Sequence, residues 1–268
     1  MSRLNSIRTG HGPLLVMLHG LFGNLDNFGS VTLHMERNLS VLRMDLPGHG
    51  QSPGLPTLSI EAMAQAVLNE LDALGIQEFN LLGHSLGGKV AMCIAGNTRT
   101  QGLQKLIVED IAPKDYPPHH QQILDALESI NLQELTDRRE AELILRPKIT
   151  EAGVRAFLLK SLYRHDSGRW RWRFDLQQLA TDYPLISKAP IVEQTIEQPV
   201  LFIKGGQSDY LEAADEPLIR RICLHPSLSV IDGTGHWPHA EKPAQFARAC
   251  QEFLGVSNSE HQSGTPTR

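Results

Sequence analysis

The feature that most constrains this 268-residue chain is one turn. The run Phe79-Asn80-Leu81-Leu82 leads straight into Gly83-His84-Ser85-Leu86-Gly87, and a helical pattern starts directly behind it. Glycine two before and two after a serine is what a sharp strand–turn–helix elbow requires, because larger side chains would block the close passage of strand and helix. Such an elbow presents the serine hydroxyl at the carboxyl end of a sheet. The plainer reading is a glycine-rich turn in which Ser85 merely caps the helix. A phosphate-cradling loop is nearly matched as well, since 83–89 reads G-x-x-x-x-G-K, but Val90 stands where that loop needs a hydroxyl for magnesium.

The rest of the chain fits an elbow set in a parallel sheet. Continuous apolar runs at 14–19, 40–45, 79–83, 105–110, 200–204 and 227–231 predict strands buried on both faces. Helical patterns at 60–74, 86–97, 212–223 and 243–253 alternate with them. The alternation implies crossover connections, hence an α/β fold with a mostly parallel central sheet and helices on both faces. It breaks over 114–190, where no good buried strand is found, only polar helical patterns with several prolines. The predicted organisation is an α/β core over 1–113 and 191–254, a helical cap insertion over 114–190, and a disordered tail over 255–268.

Composition removes several function classes. A net charge of −5 argues against nucleic acid as partner. Cys93, Cys223 and Cys250 are odd in number and widely spaced, which suggests neither a disulfide framework nor a zinc site. The first apolar run, 14–18, is too short for a secretory segment or a membrane span, so no stable membrane insertion is expected and a cytoplasmic location is the default. Nothing in the sequence fixes an oligomeric state.

Two further loops carry chemistry. His19-Gly20-Leu21-Phe22-Gly23 ends the first strand. A serine site on such an elbow takes one oxyanion N–H from the residue after the serine and one from an HG-type loop, which maps to Leu86 and Leu21. Gly233-Thr234-Gly235-His236-Trp237 follows the last strand, where a loop histidine can reach a serine far away in sequence. His236 is favoured over His239 because glycines flank it and Pro238 separates the two. His49 and His84 sit in turns and read as structural, and His119-His120 reads as a solvated pair. An acid is needed to fix the histidine tautomer. Two strands end near one, Asp110 and Asp209, and the residues alone leave both open.

The set His19-Gly20-Leu21-Phe22-Gly23, Asp45-Leu46-Pro47-Gly48-His49-Gly50-Gln51-Ser52, Gly83-His84-Ser85-Leu86-Gly87-Gly88-Lys89 and Gly235-His236-Trp237 spans almost the whole folded chain. It resembles α/β-hydrolases with a cap domain. Asp110-Ile111-Ala112-Pro113, Gly205-Gly206-Gln207-Ser208 and the stretch from His236 to Pro243 narrow the resemblance to small esterases and thioesterases like bacterial YbfF. In most of the family the acid follows the strand at 200–204, where Ser208 stands here and Asp209 comes next. In the YbfF-like subgroup the acid corresponds to Asp110, with a serine matching Ser208 in support. The resemblance therefore implies Ser85, His236 and Asp110 as catalytic residues, Ser208 as a supporting member and Asp209 as the alternative acid.

It also implies hydrolysis of small to medium acyl esters, extending to acyl-CoA thioesters, with no metal or organic cofactor. A C–C hydrolase, a perhydrolase or an acyltransferase would use the same three residues, and a ligand-binding member could keep the fold without catalysis. Trp170, Arg171 and Arg173 form the only local concentration of arginine and tryptophan. They read either as cap anchors with solvated arginines or as a handle for an anionic substrate. Phe22 and His84, beside the oxyanion loop and the serine, complete the substrate-binding candidates.

Overall fold

The computed structural model describes residues 3–118 and 120–256, so the tail expected at 255–268 lies outside the described residues except for Gly255 and Val256. The chain begins with β1 (Ser6–Gly10) and β2 (Leu14–Leu18), then a 3₁₀ turn over Leu25–Phe28 that runs into α1 (Gly29–Met35). Next come β3 (Ser40–Met44), α2 (Ile60–Ala73), β4 (Phe79–His84), α3 (Leu86–Ala95) and β5 (Leu103–Glu109). The segment expected as a cap holds α4 (Gln121–Glu128), α5 (Arg138–Leu145), α6 (Ala152–Lys160), a hairpin of β6 (Leu162–Arg164) and β7 (Trp170–Trp172), and α7 (Leu176–Ile186). The chain then returns through β8 (Ile196–Gly205), α8 (Glu216–Ile222), β9 (Cys223–Ile231), α9 (Pro238–Glu241) and α10 (Pro243–Leu254).

Seven strands form one sheet in the order β1-β3-β2-β4-β5-β8-β9, parallel throughout except for β1 against β3. The period-2 alternation of side chains divides each central strand between two cores. On β2, Leu14, Val16 and Leu18 join the cluster under α2, α3 and the 114–190 segment. Leu15 and Met17 join the opposite cluster with residues of α1 and α10. This is why the central strands read as unbroken apolar runs: both faces are covered. The inserted segment contributes Leu124, Leu158, Trp172 and Leu179 to the first cluster, so it is packed on the body rather than suspended from it.

Successive strands step outward from β2 to β3 on one side and from β2 to β4 on the other. The carboxyl ends of β2 and β4 therefore flank a topological switch point, where open α/β sheets bind ligands.

Several expectations are corrected. β1 was missing because Ser6–Gly10 is a polar, half-exposed edge strand with no apolar run. β9 was expected to be doubly buried, but it is the other edge, with Leu224, Leu228 and Val230 exposed. The helix expected over 212–223 starts at Glu216, after a 3₁₀ turn over Ala213–Asp215. Asp215 is buried there and accepts from Lys114 Nζ at 2.7 Å and from Glu212 N at 3.0 Å. The 114–190 segment is not purely helical, since it includes the β6–β7 hairpin.

Candidate active site

The elbow is tighter than ordinary residues allow. A Cβ on Gly83 would lie 2.1 Å from Gly87 O, and one on Gly87 would lie 2.2 Å from Leu18 O. Both figures are far inside contact distance, which accounts for glycine at each position. Ser85 itself has φ 51°, and its side chain makes no capping hydrogen bond to α3. The capping reading of this serine is therefore not what the structure has. Ser85 N still donates to Glu109 O at 3.0 Å, so the ladder between β4 and β5 runs one residue past the strand before the chain turns.

His236 and Asp110, 126 residues apart, meet at 2.7 Å, with Nδ1–H donating to Oδ2. Asp110 Oδ2 also accepts from Ser208 Oγ, and Oδ1 accepts from Gly205 N at 2.9 Å. Burial by itself would raise the Asp110 pKa, but the hydrogen bonds from His236, Ser208 and Gly205 outweigh it and hold the carboxyl below its ordinary value. Asp209, the alternative acid, points elsewhere: it is exposed on the rim of a cavity. With Nδ1 committed to Asp110, Nε2 is the His236 nitrogen available to Ser85, and both residues line the same cavity.

Two rings pack against His236. Tyr210 stacks on it with centroids 3.8 Å apart, and His84 lies 4.8 Å away on a tilted ring. His84 Nε2–H donates to the His236 carbonyl at 2.8 Å. Desolvation drives the His84 pKa down to about 3, so this ring is a neutral strut for the His236 loop, although it also borders a cavity. One turn on, His239 donates its backbone N–H and Nδ1–H to the fully buried Glu109 at 2.9 and 2.8 Å. Burial pushes this pair towards its uncharged forms, the Glu109 carboxyl up to about 7 and the His239 ring down to about 3. His239 is thus structural.

His84, Glu109 and His239 are also the group with metal-ligand spacing among the described residues, with ligand atoms within 4.8 Å of one another. Each already spends an atom on the hydrogen bonds just described, which an ion would have to break.

The loop after β2 is fixed from below and above. His19 donates Nδ1–H to Gly20 O at 2.8 Å and accepts from Leu46 N at 3.0 Å, and burial lowers its pKa to about 4. From above, Ser161 Oγ at the end of α6 donates to Phe22 O at 2.9 Å. Leu21 lies between these ties and lines both cavities that reach Ser85. Leu86 is the first residue of α3, so its N–H is one of the four that a helix leaves without an internal partner. Asp45 to Ser52 serves the scaffold: Asp45 accepts from Leu25 N and Gln51 N, and His49 is buried with Nδ1–H on Pro47 O.

Of the substrate-binding candidates, Phe22 and His84 border the larger cavity, whereas Trp170, Arg171 and Arg173 border neither cavity at Ser85. Trp172 is buried and stacks on Phe174, which packs against Phe22, while Arg171 is exposed and Arg173 lies over the Tyr163 ring at 4.8 Å. Trp172 thus anchors this strand on the body, and the two arginines lie outside the lining of both cavities at Ser85.

Other residues at the site escaped sequence reading. His120 is not a solvated residue: it bonds Tyr183 OH at 3.0 Å and Tyr210 OH at 3.3 Å, and lines both cavities. Lys89 Nζ, buried on α3, donates to Ser187 O and Lys188 O at 2.7 and 2.6 Å, and desolvation lowers its pKa to about 7. Tyr116 OH donates to Tyr210 O. No local pattern marks these residues, because their partners lie some 60 to 100 positions away.

Residues 15–249 match the profile of the Alpha/beta hydrolase family. The chain is 35% identical over 244 residues to Esterase YbfF of Escherichia coli (strain K12), covering 90% of this chain and 92% of that protein. It is also 35% identical over 250 residues to the sn-1-specific diacylglycerol lipase ABHD11 of Mus musculus, covering 90% and 81%. A solved structure described as a marine microorganism esterase superposes with a TM-score of 0.90 at 33% identity, covering 95% of this chain and 100% of that one.

Proposed function

We propose that this chain, which belongs to the alpha/beta hydrolase family, is a serine carboxylic-ester hydrolase working through an acyl-enzyme on Ser85. His236 Nε2 takes the Ser85 proton as Oγ attacks the ester carbonyl, and Asp110 holds the ring in the required tautomer and stabilises the imidazolium. The N–H groups of Leu21 and Leu86 receive the oxyanion. His236 then gives its proton to the departing oxygen or sulfur, and water hydrolyses the acyl-enzyme with the same base. Ser208 supports Asp110 as a hydrogen-bond donor, and the segment over 114–190 acts as a cap that shapes the substrate space.

One observation carries the reading: a buried carboxylate with three donors holds His236, whose ring lines the same cavity as a strained Ser85. The relatives' printed names, esterase and lipase, agree with ester substrates. Small to medium acyl esters, including thioesters, are the proposed substrates. Among the described residues no helix is long and apolar enough to cross a membrane, and a cytoplasmic site of action belongs to the same proposal.

The test is the rate of hydrolysis of p-nitrophenyl esters from acetate to palmitate, with fluorophosphonate labelling alongside. Activity and labelling that both vanish in Ser85→Ala support the mechanism. Activity that persists in the mutant, or an unlabelled wild-type serine, refutes it.

A further inference from the structure

Two cavities converge on Ser85, sharing Leu21, His120 and Tyr210 as well, and they differ tenfold in size. One encloses about 40 Å³ and the other about 420 Å³. A water needs roughly 10–15 Å³ of such space and a benzene fills about 150 Å³. The smaller limb thus has room for a few heavy atoms, and the larger one for an extended apolar group.

The walls are built from different elements. The smaller limb is bounded by Lys89, Tyr116, Tyr183 and Tyr210, whose polar ends are held by Ser187 O, Tyr210 O and His120, and it is closed by Ile111 and Ile186. Those hydrogen bonds tie the wall side chains to one another and to the end of α7. The larger limb is lined by Ile123, Ile149, Val154, Phe157, Leu158 and Trp237, with exposed Lys148, Glu151 and Asp209 at its rim.

Resting on the Ser85–His236 mechanism proposed above, we infer that the smaller limb holds the acyl group and the larger limb holds the leaving group, so that the substrates are short-acyl esters or thioesters of extended apolar alcohols or thiols. The assignment follows from where the proton must go. As the bond from Ser85 Oγ to the acyl carbon forms and the acyl–oxygen or acyl–sulfur bond breaks, the proton on His236 passes to the departing atom. The departing group must therefore lie on the His236 side. His236 and Trp237 line the larger limb and are not among the residues of the smaller one. Leu86, whose N–H faces the developing oxyanion in the proposed mechanism, lines the smaller limb. When the alcohol leaves, the emptied larger limb admits water to His236, which takes one proton while the hydroxide oxygen bonds the acyl carbon. Ser85 Oγ recovers its proton as the short acid is released.

The experiment is a matrix of kcat/KM values: hexyl esters of acids from acetate to octanoate, and acetate esters of alcohols from methanol to decanol. In the alcohol series the value should rise about 2- to 4-fold per methylene until the limb is full, the upper figure corresponding to complete burial of each CH₂. In the acid series it should fall at least ~10-fold between acetate and octanoate, since the smaller limb cannot take the chain without overpacking. Ile186→Ala should move the acyl cut-off to longer acids, and Val154→Trp should flatten the alcohol series. The inverse pattern, long acids preferred and alcohol length without effect, overturns the limb assignment while leaving Ser85 chemistry intact. Should Ile186→Ala fail to fold, the wild-type matrix alone decides. Absence of hydrolysis in both series together with an unlabelled Ser85 would overturn the underlying mechanism as well.

Discussion

Replacing Asp110 with Asn tests the central pair most sharply, because the structure leaves the amide no good orientation. Oδ1 accepts from Gly205 N at 2.9 Å, and Oδ2 accepts from His236 Nδ1 at 2.7 Å and from Ser208. If the amide oxygen stays with Gly205, its NH₂ faces His236, Nδ1 must become the acceptor, and Nε2 carries the proton and can no longer act as a base. If the amide flips, NH₂ faces the Gly205 N–H and one buried donor is orphaned. Removing the charge also removes its attraction for the imidazolium, ~4 kcal/mol for charges about 4 Å apart at an effective dielectric constant near 20. The wrong tautomer adds about 1 kcal/mol or more. Together these give a kcat loss of roughly 10⁴-fold, about 5.4 kcal/mol. The assay is kcat for p-nitrophenyl acetate with Asp110→Asn, Ser208→Ala and Asp209→Asn side by side, each checked by thermal melting. Ser208→Ala removes one donor of three, so a loss near 10-fold is expected. Asp209→Asn should remain within about 3-fold of wild type, given that residue's exposure. A collapse in Asp209→Asn with Asp110→Asn retaining a tenth of the activity would refute the reasoning.

Other outcomes follow from the same packing. Gly87→Ala forces a methyl to within 2.2 Å of Leu18 O, and chemical denaturation should show a loss of at least ~2 kcal/mol or no folded protein; a wild-type midpoint would mean the elbow is looser than described. His19, His49, His84 and His239 all have folded pKa values lowered by burial, to about 4, 3, 3 and 3. Below pH 6.5 the unfolded chain therefore binds protons that the native one does not, and stability should fall on acidification towards pH 4 by up to about 1.4 kcal/mol per pH unit per histidine. The raised Glu109 pKa works the other way between 4.5 and about 7 and offsets part of this. Thermal melts across pH 4–8 that show no acid loss would contradict the buried neutral rings. Lys89→Met orphans two carbonyls at the end of α7 and should cost ~1–3 kcal/mol, with KM rising more than kcat falls, because the wall of the smaller limb is then untied; unchanged KM across the acyl series would argue against that role.

How much was legible in the sequence depended on whether the deciding contact was local. The elbow was legible because its constraint is local: Gly83 and Gly87 are set by atoms within a few residues or on the adjacent strand. The central strands were legible because burial on both faces leaves unbroken apolar runs. Edge strands β1 and β9 carry no such signature, so one was missed and the other was given too much burial. The hairpin in the inserted segment did leave a trace, the alternation Trp170-Arg171-Trp172 after the turn glycine Gly168, which has φ 80°. Reading those residues as a concentration of arginine and tryptophan hid the period of two. The choice between Asp110 and Asp209 was not local at all. It depends on a pairing across 126 residues and on Gly205 and Ser208, which arrive from another strand, so only resemblance favoured one of them. His120, Tyr183 and Tyr210 form their cluster through contacts of the same long range, with nothing in the local sequence to announce it.

The backbone strain in the site shows how these distant pieces are held together. Among the described residues three non-glycine positions have positive φ: Phe22 at 62°, Ser85 at 51° and Asp110 at 52°. Such conformations cost of order 1–3 kcal/mol each and persist only where the surroundings over-determine them. Two are over-determined by the sheet, since Ser85 N donates to Glu109 O at 3.0 Å and Asp110 N donates to Ile203 O at 2.8 Å, each ladder continuing one residue past its strand. The third is tied from the inserted segment, through Ser161 Oγ on Phe22 O. Ser85 and Asp110 are thus set by the core of the fold, whereas the Leu21–Phe22 loop depends on a partner from 114–190. Under the proposed mechanism, loosening that segment should therefore relax the Leu21 N–H while leaving the Asp110–His236 pair in place, which would couple the inserted segment to oxyanion geometry as well as to substrate space.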